Sequence, residues 1–264
     1  MHEIVPKKSL GQHWLDDETS LQAMVTVGDV RPGDVVIEIG PGLGTLTKYL
    51  VEAVGETGNV IALEYDQDLA AALPKRVSAD TLQVMYADCL TFGYGSLPAG
   101  YKVVANIPYY LTSNLLRVLA ESSNPPSSIA LLVQKEVAQR VAAGPGSMSL
   151  LSVSVQLYYE ATLDAVVSAS LFTPPPKVDS QIIGLVRRQQ PLFADLDTKL
   201  FFRIVKAGFS QRRKKLRSSL SAGLHISKEE VSSLLVDSEI SPDARPQELS
   251  LQQWHQLYLR VAQS

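Results

Sequence analysis

Between residues 35 and 133 the apolar positions fall into short runs, separated by longer segments where they recur at helical spacing. The runs at 35–39, 60–63, 82–86, 102–105 and 129–133 predict strands. The segments 45–54, 68–77, 111–121 and 135–141 predict helices. Strands that are nearly apolar throughout, alternating with helices, imply a mostly parallel sheet covered on both faces. Residues 149–158 fit helix and strand about equally, 179–187 reads as a late strand, and 189–197 as a linker. The remainder carries helical patterns broken at Ser241-Pro242-Asp243 and Arg245-Pro246. The expected architecture is therefore an α/β domain over residues 1–188, followed by a small α-helical domain over 189–264.

Composition narrows the function classes. The chain has 264 residues, 45% of them hydrophobic, enough for a sizeable core. No apolar run approaches the roughly 20 residues of a membrane span. Met1-His2-Glu3-Ile4 shows no basic stretch leading into an apolar one, so no signal peptide is expected. Cys89 is the single cysteine, which excludes a disulfide framework and fits the cytoplasm. No histidine sits at ligand spacing from a cysteine or carboxylate, so no metal is expected. The net charge of −3 argues weakly against a nucleic-acid partner. Its distribution argues the other way: Arg203, Lys206, Arg212, Arg213, Lys214, Lys215 and Arg217 form a basic island with no acid among them. If residues 212–217 lie on a helix, their charges spread over more than one face. Arg212, Arg213, Lys214 and Lys215 are the candidate RNA-phosphate contacts.

Candidate chemistry collects at predicted strand ends. Glu38-Ile39-Gly40-Pro41-Gly42-Leu43-Gly44 follows the first of the five strands and opens a helix. Gly40 and Gly42 allow a tight turn and close approach of backbone to a ligand. Thr47 stands where a dinucleotide fingerprint would place its third glycine. Glu64 ends the next strand, where an acid typically accepts from ribose hydroxyls. Asp88 ends the third, and reads either as a ligand contact or as a turn residue. Asn106-Ile107-Pro108-Tyr109 follows the fourth. The exocyclic amine of adenine is a poor nucleophile because its lone pair is delocalised into the ring. Two acceptors on its hydrogens, the Asn106 side-chain oxygen and the Ile107 carbonyl, would favour a pyramidal nitrogen. Pro108 restricts Ile107 to an extended conformation, and Tyr109 offers a face on which an extruded base can stack. A methyl group carried on a sulfonium would then transfer in line, by positioning and electrostatics. Phe172, opening the stiff stretch Phe172-Thr173-Pro174-Pro175-Pro176-Lys177-Val178, either closes over the base or anchors a connection.

With these residues in hand the chain resembles the small-subunit ribosomal RNA adenine dimethyltransferases along nearly its whole length. The stretches that carry the resemblance are Lys7-Lys8-Ser9-Leu10-Gly11-Gln12, 38–47, 106–113, 172–180 and Phe209-Ser210-Gln211-Arg212-Arg213-Lys214-Lys215-Leu216. The resemblance implies a Rossmann-like class I methyltransferase domain, S-adenosylmethionine as cofactor, and the small ribosomal subunit as partner. It implies dimethylation of two adjacent adenines in the 3′-terminal hairpin loop of 16S rRNA, late in subunit maturation, by a protein expected to act as a cytoplasmic monomer. Cofactor contacts carry over to Leu15, Gly40, Glu64, Asp88 and Asn106. His13 stands where the family has asparagine, so its cofactor interaction is absent, altered or made through the backbone. Three rivals are a large-subunit enzyme of the erythromycin-resistance type, a non-catalytic assembly or mitochondrial transcription factor, and a DNA or protein methylase. The last would carry Asn-Pro-Pro-Tyr, against which Ile107 counts.

Overall fold

A computed structural model describes residues 6–7, 10–194, 196–211 and 213–263. It divides the chain into two compact units, Met1–Gln139 with Tyr159–Arg187, and Arg140–Tyr158 with Arg188–Ser264.

The first unit opens with a two-residue strand β1 (Trp14–Leu15) and a helix α1 (Glu18–Val27), which Asp17 caps by accepting from the Ser20 amide. The alternating elements follow: β2 (Val35–Ile39), α2 (Thr45–Val54), β3 (Asn59–Glu64), α3 (Gln67–Arg76), β4 (Leu82–Tyr86), β5 (Lys102–Asn106), α4 (Thr112–Glu121) and β6 (Ser128–Gln134). After the excursion into the second unit the chain returns as β7 (Tyr159–Val167), β8 (Phe172–Thr173) and β9 (Ser180–Arg187). Seven strands form one sheet in the order β4-β3-β2-β5-β6-β9-β7. The strands from β4 to β6 are parallel, and β9 pairs antiparallel with both β6 and β7. The predicted α/β class with a mostly parallel sheet is borne out. β1 and β8 pair separately, Leu15 opposite Phe172. On one face Leu21 and Met24 of α1 pack with Val36, Val104, Ala130, Leu132 and Ile182 of the central strands. The strand order reverses between β2 and β5, and open α/β sheets bind ligands beyond the carboxyl ends of such a switch point.

The second unit is helical: the chain enters it within α5 (Lys135–Val141), and α6 (Leu150–Gln156), α7 (Thr198–Phe209), α8 (Leu216–Leu224), α9 (Lys228–Asp237) and α10 (Leu251–Gln263) follow. The segment 149–158, ambiguous by periodicity, is the helix α6, started by a reciprocal cap between Ser149 and Ser152. Met148, Val153 and Leu157 pack with Phe201, Leu220 and Trp254. The boundary expected at residue 188 is therefore incomplete: residues 140–158 belong with the C-terminal helices, because their apolar face is buried there.

Candidate active site

β2 runs into a loop whose Gly40, Gly42 and Gly44 all have positive φ, at 66°, 56° and 84°. The Gly40 amide donates to the Leu63 carbonyl on β3 at 2.9 Å, which carries the β2–β3 ladder one residue beyond β2. At Gly44, a Cβ would lie 2.7 Å from a Leu73 methyl and 2.9 Å from a Val77 methyl, so a side chain would displace these two as well as strain the positive φ. Glu64, the last residue of β3, supports this loop. Its Oε2 accepts from the Gly42 amide at 3.1 Å and its Oε1 from the Asp66 amide at 2.8 Å. A carboxylate offers about four lone-pair positions, so two such bonds leave capacity for a ligand. Burial raises the Glu64 pKa above the usual carboxylate value. Lys7 reaches Asp66 and Asp68 at 2.9 and 3.0 Å, tying the segment before β1 to the start of α3. Burial pushes the Asp66 carboxyl up, but hydrogen bonds from Lys7, Gln12 and the Asp68 amide outweigh it and hold the pKa below the usual range. Lys8 and Ser9 lie outside the described residues.

Strand β4 stops at Tyr86, two residues before Asp88, so Asp88 sits in the following turn and not on the strand. Its Oδ1 accepts from the Leu90 amide at 2.8 Å, the turn role weighed from sequence, while the residue also lines the neighbouring cavity. Asn106 ends β5. Its amide nitrogen donates to the His13 carbonyl at 3.4 Å, which leaves Oδ1 as the atom to accept from a ligand. Pro108 is extended, with φ −54° and ψ 130°. The Tyr109 hydroxyl bonds Ser180 of β9 at 2.8 Å, and its ring stacks with His13 at 6.1 Å between centroids. His13 Nδ1 donates to the Pro174 carbonyl at 2.7 Å. The His13 side chain, at the position where the resemblance implies asparagine, is thus held by the proline-rich loop, and the His13 carbonyl is what meets Asn106.

These elements enclose one cavity of about 300 Å³, lined by His13, Leu15, Gly40, Gly42, Glu64, Asp88, Asn106, Ile107, Pro108, Tyr109 and Phe172. Every cofactor and catalytic candidate read from sequence is brought to it. Phe172 is buried, paired with Leu15 through β1 and β8, so it contributes wall as well as anchor. Sequence reading assigned no role to Glu38, which also lines the cavity at 1% exposure. Neither Glu38 Oε2 nor the Thr47 hydroxyl meets a partner in good hydrogen-bonding geometry, and the indole nitrogen of Trp14 is likewise unpaired. Burial, offset in part by the nearby Thr47 hydroxyl and reinforced by the Glu64 charge, pushes Glu38 up to about 8. The available signal was an acid inside an otherwise apolar strand. Cys89, beside Asp88, is pushed by burial up to about 11, as befits a packing thiol. Among the described residues no cluster of metal-ligating side chains occurs, and no helix is long and apolar enough to cross a membrane.

The basic island lies in the second unit. α7 ends at Phe209 and α8 begins at Leu216, so Arg213, Lys214 and Lys215 occupy the connection, exposed, and not a helix face. Six polar residues in a row, 210–215, offer no apolar position to hold a helix against a core. Lys215 immediately precedes α8 without capping it through its side chain, and pairs with Asp243 at 2.7 Å. Arg212 lies outside the described residues.

A sequence profile of the ribosomal RNA adenine dimethylase family matches residues 5–263. The chain belongs to this family. As a member it is an rRNA adenine dimethyltransferase, and the non-catalytic and DNA- or protein-methylase alternatives fall away. The ribosomal RNA small subunit methyltransferase A of Dehalococcoides mccartyi (strain CBDB1) is 39% identical over 265 residues, covering 99% of this chain and 90% of that protein. The protein of the same name from Lactococcus lactis subsp. lactis (strain IL1403) is 39% identical over 269 residues, covering 97% and 90%. Among solved structures, the 23S rRNA methyltransferase ErmE superposes with a TM-score of 0.76 at 26% identity, over 94% of this chain and 99% of that one. A dimethyladenosine transferase from Plasmodium falciparum superposes with a TM-score of 0.80 over 95% and 98%, and at 23% identity it speaks for the fold alone. The higher identity to the small-subunit enzymes favours them over the large-subunit type.

Proposed function

We propose that this chain dimethylates N6 of two adjacent adenines in the 3′-terminal hairpin loop of 16S rRNA, as a cytoplasmic step in maturation of the small ribosomal subunit. The observation that carries this reading is the placement of Asn106-Ile107-Pro108-Tyr109 on the wall of the cavity that also holds the glycine loop, Glu64 and Asp88. That cavity suits S-adenosylmethionine, which when bound supplies the methyl group on a cationic sulfonium. Glu64 keeps lone pairs for the ribose hydroxyls, and the glycine backbone at Gly40 and Gly42 admits the ligand closely. Asn106 Oδ1 and the Ile107 carbonyl accept from the target amine, Pro108 keeps that carbonyl in place, and Tyr109 and Phe172 flank the base. Arg213, Lys214 and Lys215, with Arg212, grip rRNA phosphates. Placing cations at the start of α8 runs against the helix dipole, a cost that a bound phosphate relieves. Incubating the protein with labelled cofactor and undermethylated small subunits, then analysing modified adenosines by mass, tests the reading. Dimethyladenosine in small-subunit RNA is the expected product; product confined to large-subunit RNA would reassign the substrate.

A further inference from the structure

Tyr65, Tyr86 and Tyr110 are 59%, 62% and 63% exposed, and among the described residues they are the only exposed tyrosine, tryptophan or phenylalanine side chains. All three lie at one edge of the sheet: Tyr65 just after β3, Tyr86 at the end of β4, and Tyr110 in the turn after β5. Tyr65 and Tyr110 line the rim of the active-site cavity. Tyr86 lies outside it and stacks on Tyr65, with ring centroids 6.4 Å apart and planes 27° from parallel. Aromatic faces clustered in water, unlike single exposed ones, mark a surface suited to covering by a ligand. Here two of them line the cavity in which the proposed reading places the target nucleotide, and the third stacks on one of those two.

We infer that Tyr86, backed by Tyr65, and Tyr110 form two stacking platforms for the unpaired bases that flank the target adenine in the RNA. The inference rests on the reading of this protein as an RNA adenine methyltransferase and adds the surface that holds the neighbouring nucleotides. Aromatic faces take any base without reading its sequence, so the platforms fix the strand while the cavity selects the adenine. The strand order β4-β3-β2-β5 puts three inter-strand spacings, about 14 Å, between the ends that carry Tyr86 and Tyr110. That is too far for one base to touch both, so each platform holds its own.

The test uses the full chain with undermethylated small subunits and, separately, a single-stranded oligoribonucleotide containing adenines. Tyr86→Ala and Tyr110→Ala should each raise KM for subunits, and weaken oligoribonucleotide binding, by roughly tenfold. The double variant should show the product of the two effects, since distant sites act independently. Tyr86→Phe and Tyr110→Phe should restore wild-type values, because the face and not the hydroxyl is used. Tyr86→Ala should leave cofactor affinity and the salt dependence of RNA binding unchanged, because a stack neutralises no phosphate. Wild-type KM in both alanine variants would overturn the inference while leaving the enzymatic reading intact. A defect on subunits but not on the oligoribonucleotide would also overturn it, pointing to a ribosomal protein at this surface. A wild-type protein that places no methyl group on RNA would remove the underlying reading and this inference with it.

Discussion

Glu38 makes a prediction about stability that can be worked through from its surroundings. Its carboxyl is 1% exposed on β2, with Oε2 unpaired. In the unfolded chain it titrates near its ordinary value of 4.5, and in the folded protein burial moves it to about 8. Between these values the native state holds a proton that the unfolded state has released. Stability must then fall as pH rises through that window. At about 1.4 kcal/mol per pH unit, the full interval is worth about 5 kcal/mol, an upper limit because the loop can relax to admit water. Glu38→Gln keeps the shape and removes the titration. Urea unfolding without cofactor, from pH 5 to pH 8.5, should show wild-type stability declining by several kcal/mol more than that of Glu38→Gln. Comparing the two cancels carboxylates that behave alike in both. Parallel pH profiles for the two proteins would refute a neutral buried Glu38.

Three further outcomes follow from the geometry. Glu64→Ala should weaken S-adenosylmethionine binding about ten- to a hundredfold, because it removes charge-assisted hydrogen bonds, as read by calorimetry on the folded variant. Asn106→Ala should slow single-turnover methyl transfer at saturating cofactor by about a hundredfold, since it removes an acceptor aimed at the reacting amine; near-wild-type rates would exclude that role. Replacing Arg213 and Lys214 with glutamine should weaken subunit binding and reduce the log–log salt slope by roughly 0.7–0.9 for each phosphate no longer neutralised, with cofactor affinity constant. An unchanged slope would place RNA docking elsewhere.

The parallel core was legible because strands such as β2 and β4 are bounded by turn residues and α2 and α5 carry clear helical spacing; their limits were readable to the residue. β7 was not, because as an edge strand it buries little beyond Tyr159 and Val167 and so lacks alternation. The site motifs could be read because backbone-shaping residues, Gly40, Gly42 and Pro108, leave a local signature. Tyr65 and Tyr110 join the site only through the meeting of distant strand ends, which no local pattern encodes, whereas Glu38 left one local sign, an acid inside an otherwise apolar strand. The basic island was visible as charge, but the place of its dense part between α7 and α8 depended on where apolar anchors stop, at Phe209, and resume, at Leu216.

The interleaving of the two units bears on how the protein emerges from the ribosome that makes it. Residues 140–158 leave the exit tunnel long before α10, yet Met148, Val153 and Leu157 bury themselves against Phe201 and Trp254. The sheet can close once β9 is out, but the nascent helical segment has to wait, its apolar face not fully covered, until Trp254 follows more than a third of the chain later. At the 5–20 residues per second of translation that wait lasts several seconds, a period in which a chaperone or a neighbouring nascent chain competes for the same surface. A chain that stopped at residue 188 would make the wait permanent.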